Sequence, residues 1–150
     1  MTRSEATLTR RPTRPARPVL AWLRLARVFQ KVDQASEQHL RQFGLNAAQF
    51  DLLAQIGAAE GATQRAMANS LLVTKSNVCQ LLARLERAGL VQRQPAGRAN
   101  RLYLTPAGRA LFDRAVPSQE RLVAEQFSAL SPGEQAQLLG LLRTLDRALG

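Results

Sequence analysis

The chain has 150 residues, 45% of them hydrophobic and 21% charged, which suits one globular domain with a sizeable core. One cysteine, Cys79, and one histidine, His39, exclude an intrachain disulfide and any cysteine-based zinc cluster, and nothing implies a cofactor. Twenty-one basic residues against eleven acidic ones give a net charge of +10, which favours a polyanionic partner.

Residues 1–18 hold Arg3, Arg10, Arg11, Arg14 and Arg17 against Glu5, with Pro12, Pro15 and Pro18 among them and almost nothing apolar to bury. This composition predicts a disordered basic arm, either a solvated tail or a weak attractor of phosphate. From Val19 to about Phe43, Leu20, Leu23, Val28, Val32, Ala35 and Leu40 recur at helical spacing, and Trp22, Leu25 and Phe29 widen the apolar face. Gly44 is the expected stop. Asn46 caps a second predicted helix carrying Phe50, Leu52, Leu53 and Ile56 and ending near Gly61. Thr63 caps a third, short helix with Ala66, Met67, Ala68 and Leu71.

Thr74 caps a fourth helix, in which Val78, Leu81, Leu82, Leu85 and Ala88 keep the 3–4 spacing, and Gly89 closes it. Two helices joined by a short turn outline a helix-turn-helix. The period then changes: residues 90–94 read as a strand, Pro95-Ala96-Gly97 as a turn and residues 100–104 as a return strand. Thr105-Pro106 starts a fifth helix, which Pro117 is expected to kink or divide. Ser131-Pro132-Gly133-Glu134 is a capping box opening a last helix through Leu138, Leu139, Leu141, Leu142, Leu145 and Leu149.

Charge follows the same organisation. Residues 63–109 carry Arg65, Lys75, Arg84, Arg87, Arg93, Arg98, Arg101 and Arg109 against Glu86 alone, whereas residues 19–62 balance and residues 110–150 are slightly acidic. The basic excess therefore lies in the arm and in the helix-turn-helix with its hairpin. The order of elements predicts a mainly α fold with a small antiparallel β-hairpin, a winged helix-turn-helix at 46–108. Long helices at 19–45 and 109–150 present more apolar surface than so small a domain can cover, and a symmetric homodimer through them is the economical solution. Such a pair would present two recognition helices to half-sites about one turn of duplex DNA apart.

The runs Leu81-Leu82-Ala83-Arg84-Leu85-Glu86-Arg87-Ala88-Gly89-Leu90-Val91 and Arg98-Ala99-Asn100-Arg101-Leu102-Tyr103-Leu104-Thr105-Pro106-Ala107-Gly108 resemble the MarR family of bacterial transcription regulators. The resemblance spans roughly residues 19–149 and is most specific from the recognition helix to the wing. It implies a homodimeric winged-helix DNA-binding protein, usually a repressor, whose DNA affinity falls when a small aromatic or phenolic ligand binds.

In such a module the start of the fourth helix enters the major groove. Thr74, Lys75, Ser76, Asn77 and Gln80 lie there. Asn77 and Gln80 share a face and suit an adenine edge, Thr74 and Ser76 suit phosphate oxygens, and Lys75 suits a phosphate or a guanine. Arg84, farther along, suits phosphate. Arg98 is the wing-tip candidate for a narrow minor groove, with Arg93 and Arg101 flanking it as backbone contacts. The family's wing is usually longer, with an aspartate two residues before the arginine matched by Arg98; here that position is Ala96 and the loop is about three residues shorter. Cys79 is either a small hydrophobe of the recognition helix or a thiol whose oxidation would disturb docking.

The resemblance places an effector pocket between the long helices and the winged domain, with Trp22, Phe29, His39, Phe43, Phe50 and Arg65 as candidate lining residues, although residues of these types more often serve as core or dimer contacts, and His39 as a surface or interface histidine. An enzyme is not expected: there is no phosphate-binding glycine loop and no nucleophile motif, and Glu120 and Glu125 sit among helical charges without an acid–base partner. No apolar run approaches the roughly 18 residues that span a bilayer, so no membrane partner and a cytoplasmic location are expected. A nonspecific nucleic-acid binder or a winged-helix protein-interaction module is the alternative.

Overall fold

The computed structural model of the chain describes residues 13–70 and 78–150. The chain divides into two units, one ending at Lys31 and the other running from Val32 to Gly150. Helix α1 spans Arg17–Leu40. Arg17 and Pro18, assigned above to the basic arm, are therefore already helical. A proline in the first turn loses no hydrogen bond, because the first N–H groups of a helix have no internal partner. The arm's residues 1–12 lie outside the described residues. In the first unit the apolar side chains of α1 stand in solvent, with Trp22 at 65% and Phe29 at 63% exposure.

In the second unit, the end of α1 buries Ser36 and Leu40, tightens into a 3₁₀ turn at Arg41–Phe43, and stops at Gly44, whose φ of +71° is the left-handed conformation that glycine adopts without penalty. Helix α2 (Ala47–Ala58) opens on a reciprocal cap: Asn46 Oδ1 accepts from the Gln49 N–H at 2.8 Å, and Gln49 Oε1 accepts from the Asn46 N–H at 3.0 Å. Helix α3 (Gln64–Ser70) starts after Thr63, whose hydroxyl accepts from the Ala66 N–H. Helix α4 covers Val78–Arg87. The Gly89 N–H reaches the Glu86 carbonyl and the Leu90 N–H the Leu85 carbonyl, the paired closure of a glycine-terminated helix. The expected Thr74 cap, and Leu71 of the third helix, lie outside the described residues.

Strands β1 (Val91–Ala96) and β2 (Ala99–Leu104) pair antiparallel, with Val91 opposite Leu104 and Ala96 opposite Ala99. The hairpin is longer and its turn tighter than expected: Pro95 and Ala96 belong to β1, and the chain reverses at Gly97-Arg98 with Gly97 at φ +63°. Glycine first in a two-residue turn matches the twist of the strands, and proline is tolerated in a strand whose outer edge is open. On the other side of β2 the loop after α2 adds its own bonds, Gly61 N–H to the Leu102 carbonyl at 2.8 Å and Leu102 N–H to the Ala62 carbonyl at 3.0 Å.

Helix α5 (Pro106–Phe127) begins at Thr105, which accepts from the Gly108 N–H through its hydroxyl at 3.0 Å. The helix is not divided at Pro117 but runs through it to Phe127. Proline costs one N–H, yet Pro117 is exposed while Ala115 and Gln119 on either side are buried and hold the helix against the core. Helix α6 (Pro132–Leu149) carries the Ser131–Glu134 capping box and has no buried residue; Leu141 is 70% exposed.

The core gathers Leu52, Leu53 and Ile56 of α2, Leu82 and Leu85 of α4, Leu102 of β2, and Leu111 and Ala115 of α5. Burying each of the large aliphatic side chains contributes about 1.5–3 kcal/mol. The result is a mainly helical winged fold whose hairpin, the only one among the described residues, lies beside α4.

Candidate nucleic-acid interface

Helix α4 sorts its residues by face. Val78, Leu81, Leu82 and Leu85 point into the core, while Cys79, Gln80, Arg84 and Arg87 are exposed to varying degrees on the outer side. Leucine at 3–4 spacing drives one face inward, and that burial fixes which residues are offered outward. Gln80 and Arg84 are four apart, hence neighbours on the outer surface. Thr74, Lys75, Ser76 and Asn77 lie outside the described residues.

Beside this helix stands the wing, with Arg98 exposed at its tip. The other two wing arginines have partners within the chain. Arg93 donates through Nε to Glu86 on α4 and through Nη1 to Gln64 Oε1 on α3 at 3.3 Å. Arg101 donates through Nη1 to the Gly61 carbonyl at 2.7 Å. Glu86, the lone acid of the basic block, is thus neutralised by Arg93. Each guanidinium retains further N–H donors after these bonds.

A groove of 850 Å³ runs between α3, the start of α4 and the wing, and Gln64, Arg65, Cys79, Arg98 and Asn100 are among its walls. Arg65, proposed from sequence for an effector pocket, faces this groove. Cys79 is exposed rather than packed, and its Sγ accepts from Gln64 Nε2 at 3.2 Å. Among the described residues no group of three or more His, Cys, Asp or Glu is placed to hold a metal ion, and no helix is long and apolar enough to cross a membrane.

A second, chemically different cavity of 560 Å³ lies between α2, α5 and α6. Phe50 alone of the six candidate pocket residues lines it, together with Val116, Gln119, Val123, Phe127, Leu138 and Leu142. Phe43 packs against the core instead. His39 bonds Ser118 Oγ through Nε2 at 2.8 Å and meets Phe43 edge-on at 6.0 Å, joining the end of α1 to α5. Trp22 and Phe29 belong to the other unit. Sequence reasoning missed Gln119, although a signal was present: it follows Leu111 and Ala115 at four-residue steps, a polar side chain on a buried stripe.

Residues 43–101 match a family model described as the MarR family. A helix-turn-helix-type transcriptional regulator of Bacillus cereus is 34% identical over 125 residues, covering 83% of this chain and 85% of its own. Among solved structures, BpsR of Bordetella bronchiseptica, whose DNA binding is regulated by 6-hydroxynicotinic acid, superposes with a TM-score of 0.77 at 25% identity, over 85% of this chain and 98% of that one. A mutant MarR of Escherichia coli complexed with operator DNA gives a TM-score of 0.74 at 27% identity, over 86% and 94% of the respective chains.

Proposed function

The chain belongs to the MarR family of transcription regulators, DNA-binding proteins of winged-helix fold, and from that premise we propose that it is a homodimeric repressor. Its palindromic operator would be released when a small aromatic or phenolic ligand binds. The observation that carries the DNA reading is the outer face of α4, where Gln80 and Arg84 are offered to solvent beside an arginine-tipped wing. In this reading residues 74–77 and Gln80 meet base edges and phosphates of the major groove, and Arg84 meets phosphate. Arg98 reaches toward the minor groove from a short turn, and Arg93 and Arg101 use their remaining donors on phosphates while bracing the wing.

The dimer reading rests on exposed leucine. Leu139, Leu141, Leu145 and Leu149 of α6 stand in solvent in the single chain, a continuous apolar stripe that a second copy would bury. Accordingly residues 46–108 form the DNA-binding domain, and residues 19–45 and 109–150 supply the dimer contacts. BpsR supports the effector: its DNA binding responds to a small aromatic acid. The relatives are transcription regulators rather than enzymes, and the chain is proposed to act in the cytoplasm by binding alone.

Selection of bound sequences from a random duplex library at near-physiological salt tests this proposal. Recovery of a palindrome with half-sites about ten base pairs apart is expected, together with a dimeric mass in solution. No enrichment by a folded protein would overturn it.

A further inference from the structure

The near balance of charge over residues 19–62 conceals a boundary. Arg24, Arg27 and Lys31 come first, and the acids Asp33, Glu37, Asp51 and Glu60 all follow Lys31. The fold divides at the same place, its first unit ending at Lys31. Residues 1–31 hold eight basic residues against Glu5 alone, a net charge of +7, whereas residues 32–150 hold thirteen against ten acids, a net of +3. Most of the positive charge therefore lies outside the winged domain.

Within α1 this charge is sorted by face. Arg17, Arg24, Arg27 and Lys31 follow at steps of seven, three and four, so at about 100° per residue they share one side of the helix. All four are exposed, none forms an ion pair among the described residues, and no acid stands three or four positions from any of them. A helix face charged only for solubility mixes the two signs; here like charges repel along one line with nothing to offset them. The opposite side carries Trp22, Phe29, Ser36 and Leu40. Ser36 and Leu40 are buried, and Ser36 Oγ accepts from Gln119 Nε2 of α5 at 2.7 Å. Where protein covers α1, it covers the apolar side, and the cationic side is the one left to solvent. A helix lying on a membrane would instead need that apolar side free.

We propose that Arg17, Arg24, Arg27 and Lys31 form a second contact with duplex DNA, a sequence-independent rail for the phosphate backbone outside the winged domain. At a rise of about 1.5 Å per residue the rail is about 21 Å long. A duplex carries one negative charge per roughly 1.7 Å of its axis, so this length meets several phosphates. Guanidinium forks match phosphate oxygens, and a line of cations carries no base code. The proposal rests on the DNA binding of the family, but neither on a palindromic operator nor on an effector.

The test is the salt dependence of binding by the full chain to a synthetic duplex of scrambled sequence and to the selected operator, read by fluorescence anisotropy between about 50 and 200 mM salt. Each variant is first shown to keep the wild-type mass in solution. Arg17→Gln, Arg24→Gln, Arg27→Gln and Lys31→Gln combined are expected to lower the slope of log affinity against log salt by about 0.9 per lost contact, hence by about three to four per protomer on both duplexes. The ranking of single-base operator variants is expected to stay unchanged, because the rail reads no base. Arg17→Lys, Arg24→Lys and Arg27→Lys combined keep the charge and are expected to keep the slope within about one. A slope that the four glutamines leave unchanged overturns the proposal; if the same variant loses binding to phosphatidylserine vesicles, the stripe serves a membrane instead. A slope lost equally with the three lysines also overturns it, because shape rather than charge would then be at work. If the fourfold variant does not fold or loses its mass, the pairs Arg17→Gln with Arg24→Gln and Arg27→Gln with Lys31→Gln decide, each expected to lower the slope by about two. The operator selection stands apart from these measurements. A fallen slope without a palindrome keeps the rail and refutes the repressor reading; a palindrome with an unchanged slope does the reverse.

Discussion

Gly108 sets the first turn of α5 directly against the backbone of Leu90, the residue before β1. A Cβ built there would lie 1.9 Å from the carbonyl oxygen of Leu90 and 2.9 Å from its carbonyl carbon. Carbon and oxygen without an ordinary hydrogen bond rest at about 3.3 Å or more, so Gly108→Ala forces the two backbones apart by about 1.4 Å. That same Leu90 oxygen accepts from the Thr105 N–H at 3.0 Å, and the Thr105 hydroxyl donates to the Gly89 carbonyl. Overpacking against backbone costs about 1–3 kcal/mol, and stretching one of these bonds about 1 kcal/mol more. Alanine's better helix propensity offsets about 0.5–1 kcal/mol. For a chain of this size the net is a fall of roughly 4–10 °C in Tm, read by circular dichroism at fixed protein concentration. Gly133→Ala, whose Cβ would meet only Ser131 Oγ at 4.0 Å, is the control and is expected to leave Tm nearly unchanged. A Gly108→Ala protein melting within about 1 °C of the wild type would refute the reasoning.

Gln80→Ala is expected to flatten discrimination at one base position by about 1–3 kcal/mol while leaving nonspecific affinity nearly intact, measured on single-base operator variants. Arg98→Ala should weaken binding to all duplexes alike and reduce the slope of log affinity against log salt by about one, the signature of one lost phosphate contact. Leu82→Ala, at a position with no exposure, should cost about 2–5 kcal/mol in chemical denaturation and take DNA binding with it. The Glu134 carboxyl is held below the usual carboxylate range by the Ser131 backbone N–H and then by the Ser131 hydroxyl. A lowered folded value means that its support of α6 is complete above the ordinary carboxylate pKa and disappears as pH falls through the lowered one. Glu134→Gln should remove that acid-side dependence, which an NMR titration of the Ser131 amide would follow.

What the sequence revealed was mostly local. Asn46, Thr105 and Ser131 announce helix starts because a capping side chain bonds only two or three residues ahead, and all three do so. The leucine spacing of α4 foretold its buried face for the same reason. Errors arose where tertiary context outweighs a local rule. Pro95 reads as a turn residue, yet it sits in β1 because that edge asks for no N–H. Pro117 reads as a break, yet the burial of its neighbours carries α5 past it. Arg65 was grouped with Phe50 because the family resemblance places one pocket between the long helices and the winged domain, but Arg65 lines the groove beside the wing instead. The cavity between α2, α5 and α6 unites α2 with residues some 65–90 positions later, a distance over which periodicity carries no information.

The hairpin is also a hazard that the fold has contained. Leu102 turns its N–H away from β1, to Ala62, so β2 is occupied on both sides, by β1 and by the loop after α2. By alternation Pro95, which faces Asn100, presents its ring nitrogen on the one side of β1 left open, where another strand would seek a donor. An exposed pair of strands invites strands of other chains to extend the sheet. Here one rim is sealed and the other lacks a rung, so the hairpin can stand out from the core without becoming a seed for aggregation.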